Sequence, residues 1–379
     1  MIEDYFDKLG IIDINDPEVF WMNLEEKLGE NFCDRIDNAM SYRDITKSDD
    51  VYSIKNESFK TSLEFVTYSK DLYRNYLKRL IDLNLSPKKI LDIGCDKGIV
   101  TCMYSILYPD AEIVGIDIGV NGINRSKELA EHLGLTNVKF EKFDFKKIKN
   151  LALAGEFDLI TSVRSVKEIL MLFDEHRVWD LYEIEKIKTK KSERIAFENL
   201  ANLLCEDGIL ILFERLASIE EIIYFNKIVK ESGYKVVEEY LKYIELQELG
   251  DVQKMPFMVY KKNQDSNVEN DTEILLNAFL IEDMKEFNNF MKLEAKELIY
   301  GIQINYSDGS GNMREELYKA EDKLAYIKYS NIGYKEISVS NNNNYNKNKV
   351  VKEIKDDLEF YKKCWCTVIE YENLEQRPQ

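Results

Sequence analysis

The segment Ile90-Leu91-Asp92-Ile93-Gly94-Cys95-Asp96-Lys97-Gly98 has the pattern of a buried strand running into a glycine turn that opens a helix. Gly94 lets the chain turn where a side chain would clash, and Gly98 lets the first helical turn approach a bound ligand. The dinucleotide pattern GxGxxG is not met, because Asp96 holds its second glycine position. Asp92, at the end of the strand, is placed to accept hydrogen bonds from a ligand ammonium group. A pyrophosphate ligand offers no such donor.

Outward from this loop, short apolar runs at 89–93, 112–117, 138–143, 157–163 and 208–214 alternate with stretches long enough for crossover helices at 99–108, 121–133 and 193–204. Strands in such a series are joined by right-handed crossovers and form a parallel sheet covered on both faces. A further helix over 218–232 and an antiparallel pair, 234–245 and 257–261, complete the expected doubly wound, mostly parallel α/β sheet of seven strands. Two more acids end successive strands. Asp117 is placed to take both hydroxyls of a ribose. Asp144, in Phe143-Asp144-Phe145, is placed to accept from the exocyclic amino group of an adenine. A lone aspartate at a strand end is usually a turn or cap. Three on one sheet edge, where open α/β folds bind ligands, point to a site.

These residues resemble the class I (Rossmann-like) S-adenosylmethionine-dependent methyltransferases. Leu91–Gly98 is similar to their first motif, Gly115-Ile116-Asp117 to the acidic end of their second strand, and Lys142–Phe145 to their adenine-reading segment. Phe157–Ser162 is similar to their fourth strand and Glu206–Leu212 to their turn and fifth strand. The likeness covers about 68–262. It implies S-adenosylmethionine as cofactor, with Asp92, Gly94 and Gly98 on its methionine end, Asp117 on the ribose and Asp144 on the adenine. Cys95, Ile118, Phe145 and Ser162 complete the implied cofactor contacts. The departure from the family pattern is Asp96, which stands where the middle glycine belongs.

Methyl transfer from a sulfonium needs alignment of nucleophile, methyl and sulfur, and removal of a proton where the acceptor carries one. Acceptor contacts are expected after the fourth and fifth strands, from Arg164 and Glu214. Arg164 either clamps a substrate carboxylate or phosphate or pairs with Glu168, four residues on. His176 is the candidate base, although Asp174, Glu175 and Arg177 beside it suit an exposed loop. The stretch 171–193, rich in aromatic and then basic residues, reads either as a substrate cover or as a solvated helix with a basic end.

The chain has 379 residues, 45% of them hydrophobic, which supports several packed units. Fifty-two Lys and Arg against 70 Asp and Glu give a net charge of −18. That charge repels phosphate backbones and disfavours nucleic acid as partner. Two histidines exclude a multi-histidine metal site, so no metal is expected. No run is apolar enough to span a membrane, and six scattered cysteines suit a reducing cytoplasm. The expected organisation is a helical N-terminal cap (1–86), the cofactor domain (87–262), a polar linker (263–272) and a smaller C-terminal α+β domain (273–379). In the cap, one helix is expected from Pro17 past Ile36 and another over 68–83. In the C-terminal domain, helices are expected at 273–296, 313–328 and 349–362. Strands are expected at 298–306, 334–340 and 364–371, the last carrying Cys364 and Cys366, and Asn312 with Glu315 would form a capping box. The resulting expectation is a methyltransferase for a small-molecule acceptor. The alternatives are a protein or RNA methyltransferase, or a cofactor-binding module without turnover.

Overall fold

The computed structural model describes residues 1–41, 49–150, 157–170, 188–216, 218–262, 271–279, 295–306, 312–330, 335–364 and 366–378, with a few single residues between 286 and 293. The chain divides into two compact units, one drawn from residues 1–271 and the other chiefly from Thr272–Gln379.

The first unit is built on strands β1 (Lys89–Ile93), β2 (Glu112–Asp117), β3 (Val138–Lys142), β4 (Phe157–Val163), β5 (Leu204–Phe213), β6 (Tyr234–Val236), β7 (Lys242–Glu248) and β8 (Asp251–Lys262). They run in the order β3-β2-β1-β4-β5-β8-β6, and the first five are parallel. Ile90, Leu91 and Ile93 are buried, because both faces of the sheet are covered. Helices α7 (Ile99–Leu107) and α8 (Val120–His132) carry the first two crossovers, and 191–203 and 219–231 carry later ones. The strand order reverses between β1 and β4, which makes the carboxyl ends of β1, β2 and β4 the ligand-binding edge.

This is the doubly wound sheet that the periodicity predicts, with one strand added. The strand expected at 234–245 is two, β6 and β7, parted by a turn at Glu238–Tyr240, and β8, 12 residues long, pairs with both and with β5, giving eight strands among the described residues. β5 begins at Leu204, and the expected turn Glu206-Asp207-Gly208 is taken into it at a register shift.

N-terminal helices α1 (Ile2–Lys8), α2 (Pro17–Leu28), α3 (Glu30–Ser41), α4 (Asp49–Lys55), α5 (Phe59–Thr67) and α6 (Lys70–Asp82) precede the sheet. The helix expected from Pro17 past Ile36 is two helices. Gly29, at φ 87° and ψ 157°, lies outside helical geometry and breaks it. Ile2, Tyr5 and Phe6 of α1 and Leu72, Tyr76, Leu77 and Leu80 of α6 share one apolar core with Phe213, Phe257 and Val259 of the sheet. Tyr5 Oη donates to the carbonyl of Ile99 (2.8 Å), and Tyr76 stacks on Phe213. Helices α2–α5 have their own cluster around Phe20, Leu24, Phe32, Ile36 and Phe65.

The second unit is a five-stranded antiparallel sheet in the order β12-β11-β10-β9-β13, from β9 (Glu297–Asn305), β10 (Asn312–Ala320), β11 (Lys323–Ser330), β12 (Lys335–Asn341) and β13 (Thr367–Tyr371). A helix, Asn344–Lys363, lays Ile354 and Leu358 against Ile302, Ile304 and Leu317. The helix expected at 313–328 is instead the hairpin β10–β11. Its Glu, Leu, Lys and Ala favour a helix, but pairing of buried groups across the sheet overrides that preference. Glu316 accepts from Tyr318, Tyr329, Tyr371 and Arg377 on one face, while Glu315 binds Lys328 (3.0 Å) on the other. The capping box at Asn312 and Glu315 falls with that helix. Asn343, expected in a loop, caps the helix that follows it by accepting from the amide of Asn346. Cys364 ends that helix and Cys366 precedes β13, so neither lies in a strand.

Candidate active site

The loop between β1 and α7 is fixed by backbone bonds. The amides of Gly94 (2.9 Å) and Cys95 (3.1 Å) both donate to the carbonyl of Ile116, pinning the loop over the end of β2. Gly94, Asp96 and Gly98 have φ of 70°, 45° and 79°. Asp96 therefore keeps the left-handed backbone of a glycine position while adding a carboxylate.

At Gly98 a Cβ would lie 2.7 Å from Cβ of Ser126 and 3.0 Å from the Phe140 ring, and at Gly94 it would lie 2.3 Å from Ser165. The glycines thus answer first to the protein's own packing. Gly98→Ala is expected to cost roughly 2–3 kcal/mol of stability without ligand, from backbone strain and overpacking together. Urea denaturation measures it. An unchanged midpoint would mean that this glycine serves only a ligand.

Asp92 is buried, and Thr101 (2.5 Å) and Thr161 (3.0 Å) each donate a hydroxyl to it. Burial pushes its carboxyl up to about 6, against those two hydrogen bonds. The structure does not bring Asp92 to the surface of the loop; it joins β1, α7 and β4. Cys95 is also buried, and burial holds its thiol far above the ordinary range.

Asp117 stands at the edge, accepting from the backbone amides of Asp96 (2.9 Å) and Gly119 (2.7 Å). Burial, with Asp96 nearby, raises it to about 6. Each carboxylate oxygen keeps a second lone pair for a ligand hydroxyl. Ile118 beside it is an exposed apolar side chain, 56% accessible. Asp144 accepts from the amide of Lys146 (3.0 Å), and Phe145 is buried under it.

Ser162 is buried and donates to Glu214 (2.8 Å). Glu214 is itself buried and also takes the amides of Ser165 (3.3 Å) and Val166 (3.1 Å) at the start of the short helix α9 (Val166–Ile169). Burial raises its carboxyl, and the Ser162 hydroxyl and backbone amides oppose that. These two residues hold the segment after β4. Arg164 does not pair with Glu168. Its Nη1 donates to both oxygens of Glu248 (2.8 and 2.9 Å), which Arg215 (3.0 Å) and Ser69 (3.2 Å) also reach. His176 lies outside the described residues.

Sequence reasoning missed four partners. Asp92 and Thr161 are register neighbours on β1 and β4, so the pair is recoverable once the strands are aligned. Asn56, at the end of α4, donates to Asp96 (2.5 Å). Lys97 Nζ lies 2.6 Å from the same carboxylate. Glu248 ends β7. None of the last three has a local signature.

The arrangement suits a nucleoside with an amino-acid end. Asp117 presents open acceptor capacity at the edge, Ile118 an exposed apolar side chain and Asp144 a carboxylate beside it, and Asp96 with Lys97 supplies opposite charges beside the loop. A methyltransferase-domain model matches residues 85–377, well over half the chain. The chain belongs to the methyltransferase-domain family. The cofactor of this family is S-adenosylmethionine. Among curated relatives, the ubiquinone biosynthesis O-methyltransferase of Acinetobacter baylyi is 27% identical over 85 residues, 22% of this chain and 34% of the relative. A ribosomal RNA small subunit methyltransferase G of Streptococcus pyogenes is 30% identical over 169 residues, 41% of this chain and 65% of the relative. The chain thus spans about a third of the first relative's length and just under two thirds of the second's. The solved human N-acetylserotonin methyltransferase, in complex with S-adenosylmethionine, is 12% identical with a TM-score of 0.38. That match covers 65% of this methyltransferase and 70% of the human chain.

Proposed function

We propose that this chain transfers a methyl group from S-adenosylmethionine to a small-molecule acceptor. The observation that carries the reading is Asp117 at the carboxyl end of β2, beside the reversal of strand order, with a glycine loop pinned over it. Bound S-adenosylmethionine supplies an electrophilic methyl on a sulfonium. The chain's residues hold it, exclude water and receive the acceptor's proton.

Helix α4 supports an enclosed acceptor. Its end reaches the loop through Asn56 and Asp96, its Ser53 carbonyl accepts from Asn121 of α8 (3.1 Å), and its Tyr52 donates to Glu168 of α9 (3.2 Å). Tyr68 accepts from Lys55 Nζ at the end of the same helix. Burial alone would raise its phenol, but Lys55, 3.3 Å away, and Lys97 outweigh that and lower it. Arg164 positions the acceptor wall through Glu248, and Glu214 positions the turn after β4. The net charge of −18 disfavours RNA, although one relative's name is that of a ribosomal RNA methyltransferase. Among the described residues no helix is long and apolar enough to cross a membrane, and all six cysteines are free. A cytoplasmic setting is part of the proposal, as is an accessory role for 273–379.

Asp117→Ala is expected to weaken S-adenosylmethionine binding by roughly 1.5–3 kcal/mol, the worth of charge-assisted hydrogen bonds. Calorimetric titration measures it. Wild-type affinity is also expected to fall as pH drops below about 6, where the free Asp117 takes a proton and loses acceptor capacity. Preference for NAD over S-adenosylmethionine, or unchanged binding by the variant, would overturn the reading. Acceptor class is then tested by methylation assays on small-molecule, protein and RNA fractions.

A further inference from the structure

We propose that the cofactor's ammonium group is received by Asp96 and Asn56, an acid in place of a loop glycine and an amide from the N-terminal helices. This rests on the reading that the loop holds S-adenosylmethionine.

Asp92, the acid expected to take the ammonium, is unavailable: it is 3% exposed, held inside the fold by Thr101 and Thr161. Asp96 lies four residues on, within the loop itself, and its side chain is 28% exposed. Its left-handed backbone matches that of the flanking glycines, so the loop keeps its shape and gains a negative group.

Asn56 supplies the second, independent observation. It is 2% exposed and its Nδ2 donates to Asp96 Oδ1, but its Oδ1 is buried with no hydrogen-bond partner among the described residues. A side-chain amide carries its oxygen and nitrogen on one carbon, so this orphaned acceptor lies close to the Asp96 carboxylate. Buried acceptors are rarely left unpaired, and a native exception calls for a missing donor. An ammonium brings three N–H donors and a positive charge, enough for Asp96, Asn56 Oδ1 and a loop carbonyl at once. Lys97, 2.6 Å from Asp96, does not argue against a second cation. The amino-acid end of the ligand is a zwitterion, and Lys97 is the counter-charge for its carboxylate. The internal ion pair is exchanged for two pairs with the ligand.

Two ligands separate this role from a merely structural tie between loop and helices. S-adenosylhomocysteine carries the ammonium; 5′-methylthioadenosine has the same nucleoside and thioether without the amino-acid end. Both are titrated calorimetrically into full-length wild type, Asp96→Asn, Asp96→Gly and Asn56→Ala. The expected result is a loss of tenfold or more for S-adenosylhomocysteine in each variant, with 5′-methylthioadenosine within twofold of wild type. Equal losses for both ligands, no loss for either, or tighter S-adenosylhomocysteine binding by Asp96→Gly overturns the proposal. Should Asn56→Ala fail to fold, the near-isosteric Asp96→Asn decides alone. Wild-type protein that binds the homocysteine ligand but shows no such selectivity refutes the ammonium site and leaves the cofactor reading standing. Wild type that binds neither ligand refutes both.

Discussion

Glu248→Ala is expected to remove about 3–5 kcal/mol from the stability of the first unit, the cost of leaving a buried charge without its partner. Glu248 is 7% exposed and accepts from Arg164 twice, from Arg215, from Ser69 and from Gln253. Without it, the largely buried Arg164 guanidinium keeps, among the described residues, Gln253 and the Met255 sulfur. Glu248→Gln restores shape and some hydrogen bonds but no charge, and should recover less than half of the loss. The pH dependence has a definite sign. Burial alone would raise the Glu248 carboxyl, but Arg164 and Arg215 lower it below its ordinary value of 4.5. A lowered folded value means that the ion pair contributes fully above 4.5 and is lost as pH falls through the folded value. Guanidinium denaturation of wild type and variants between pH 3 and 8 tests both statements. A loss under ~1 kcal/mol, the worth of an exposed pair, would show this cluster to be solvated.

The second large effect belongs to the other unit. Glu316 is 1% exposed and receives Tyr371 (2.8 Å), Tyr318 (3.0 Å), Tyr329 (3.2 Å) and Arg377 (2.7 Å). Glu316→Leu removes the shared acceptor of three phenols and a guanidinium, leaving the Arg377–Tyr329 bond (2.7 Å), at an expected cost of about 3–5 kcal/mol. Hydrogen exchange at the amides of β10 and β11 reads it locally, whatever the first unit does. Protection unchanged from wild type would mean that the tyrosines find other partners. The sequence-level motive for a helix here, Glu315-Glu316-Leu317 followed by Lys319-Ala320, makes the same point. With Leu in place of the acid, helical propensity would survive and the pairing that overrides it would not.

The contrast between the units shows what a sequence can disclose. β1, β2 and β4 have the bounds their apolar runs predict, because a parallel strand buried on both faces has to be apolar almost throughout. The acids at the ends of those strands were legible for the same reason, since strand ends in this topology fall on one edge. Asp117, which ends β2, could therefore be placed before any geometry was known, while Asp144 lies two residues past the edge strand β3. What Asp92 does could not be read in that way. Thr161 is 69 positions away and becomes a partner only through the register of β1 on β4. Asn56 and Glu248 are hidden more deeply: they meet Asp96 and Arg164 across separations of 40 and 84 residues. In β10 and β11 the local preference is helical and loses to long-range pairing. Polar partners chosen by the tertiary fold leave no periodicity behind.

Helix α1 has a consequence for how the protein comes off the ribosome. Ile2, Tyr5 and Phe6 complete the same apolar core as Phe257 and Val259, which are made about 250 residues later. At the usual ~5–20 residues per second, α6 and Ile99, which seat that helix face, follow within roughly 20 seconds, whereas β8 closes the same core only after roughly 12–50 seconds. Throughout that interval β8, which lies between β5 and β6 and also pairs with β7, is still to be made. Closure of the first unit's core is therefore a late, high-contact-order event that joins its N-terminal helices to β8.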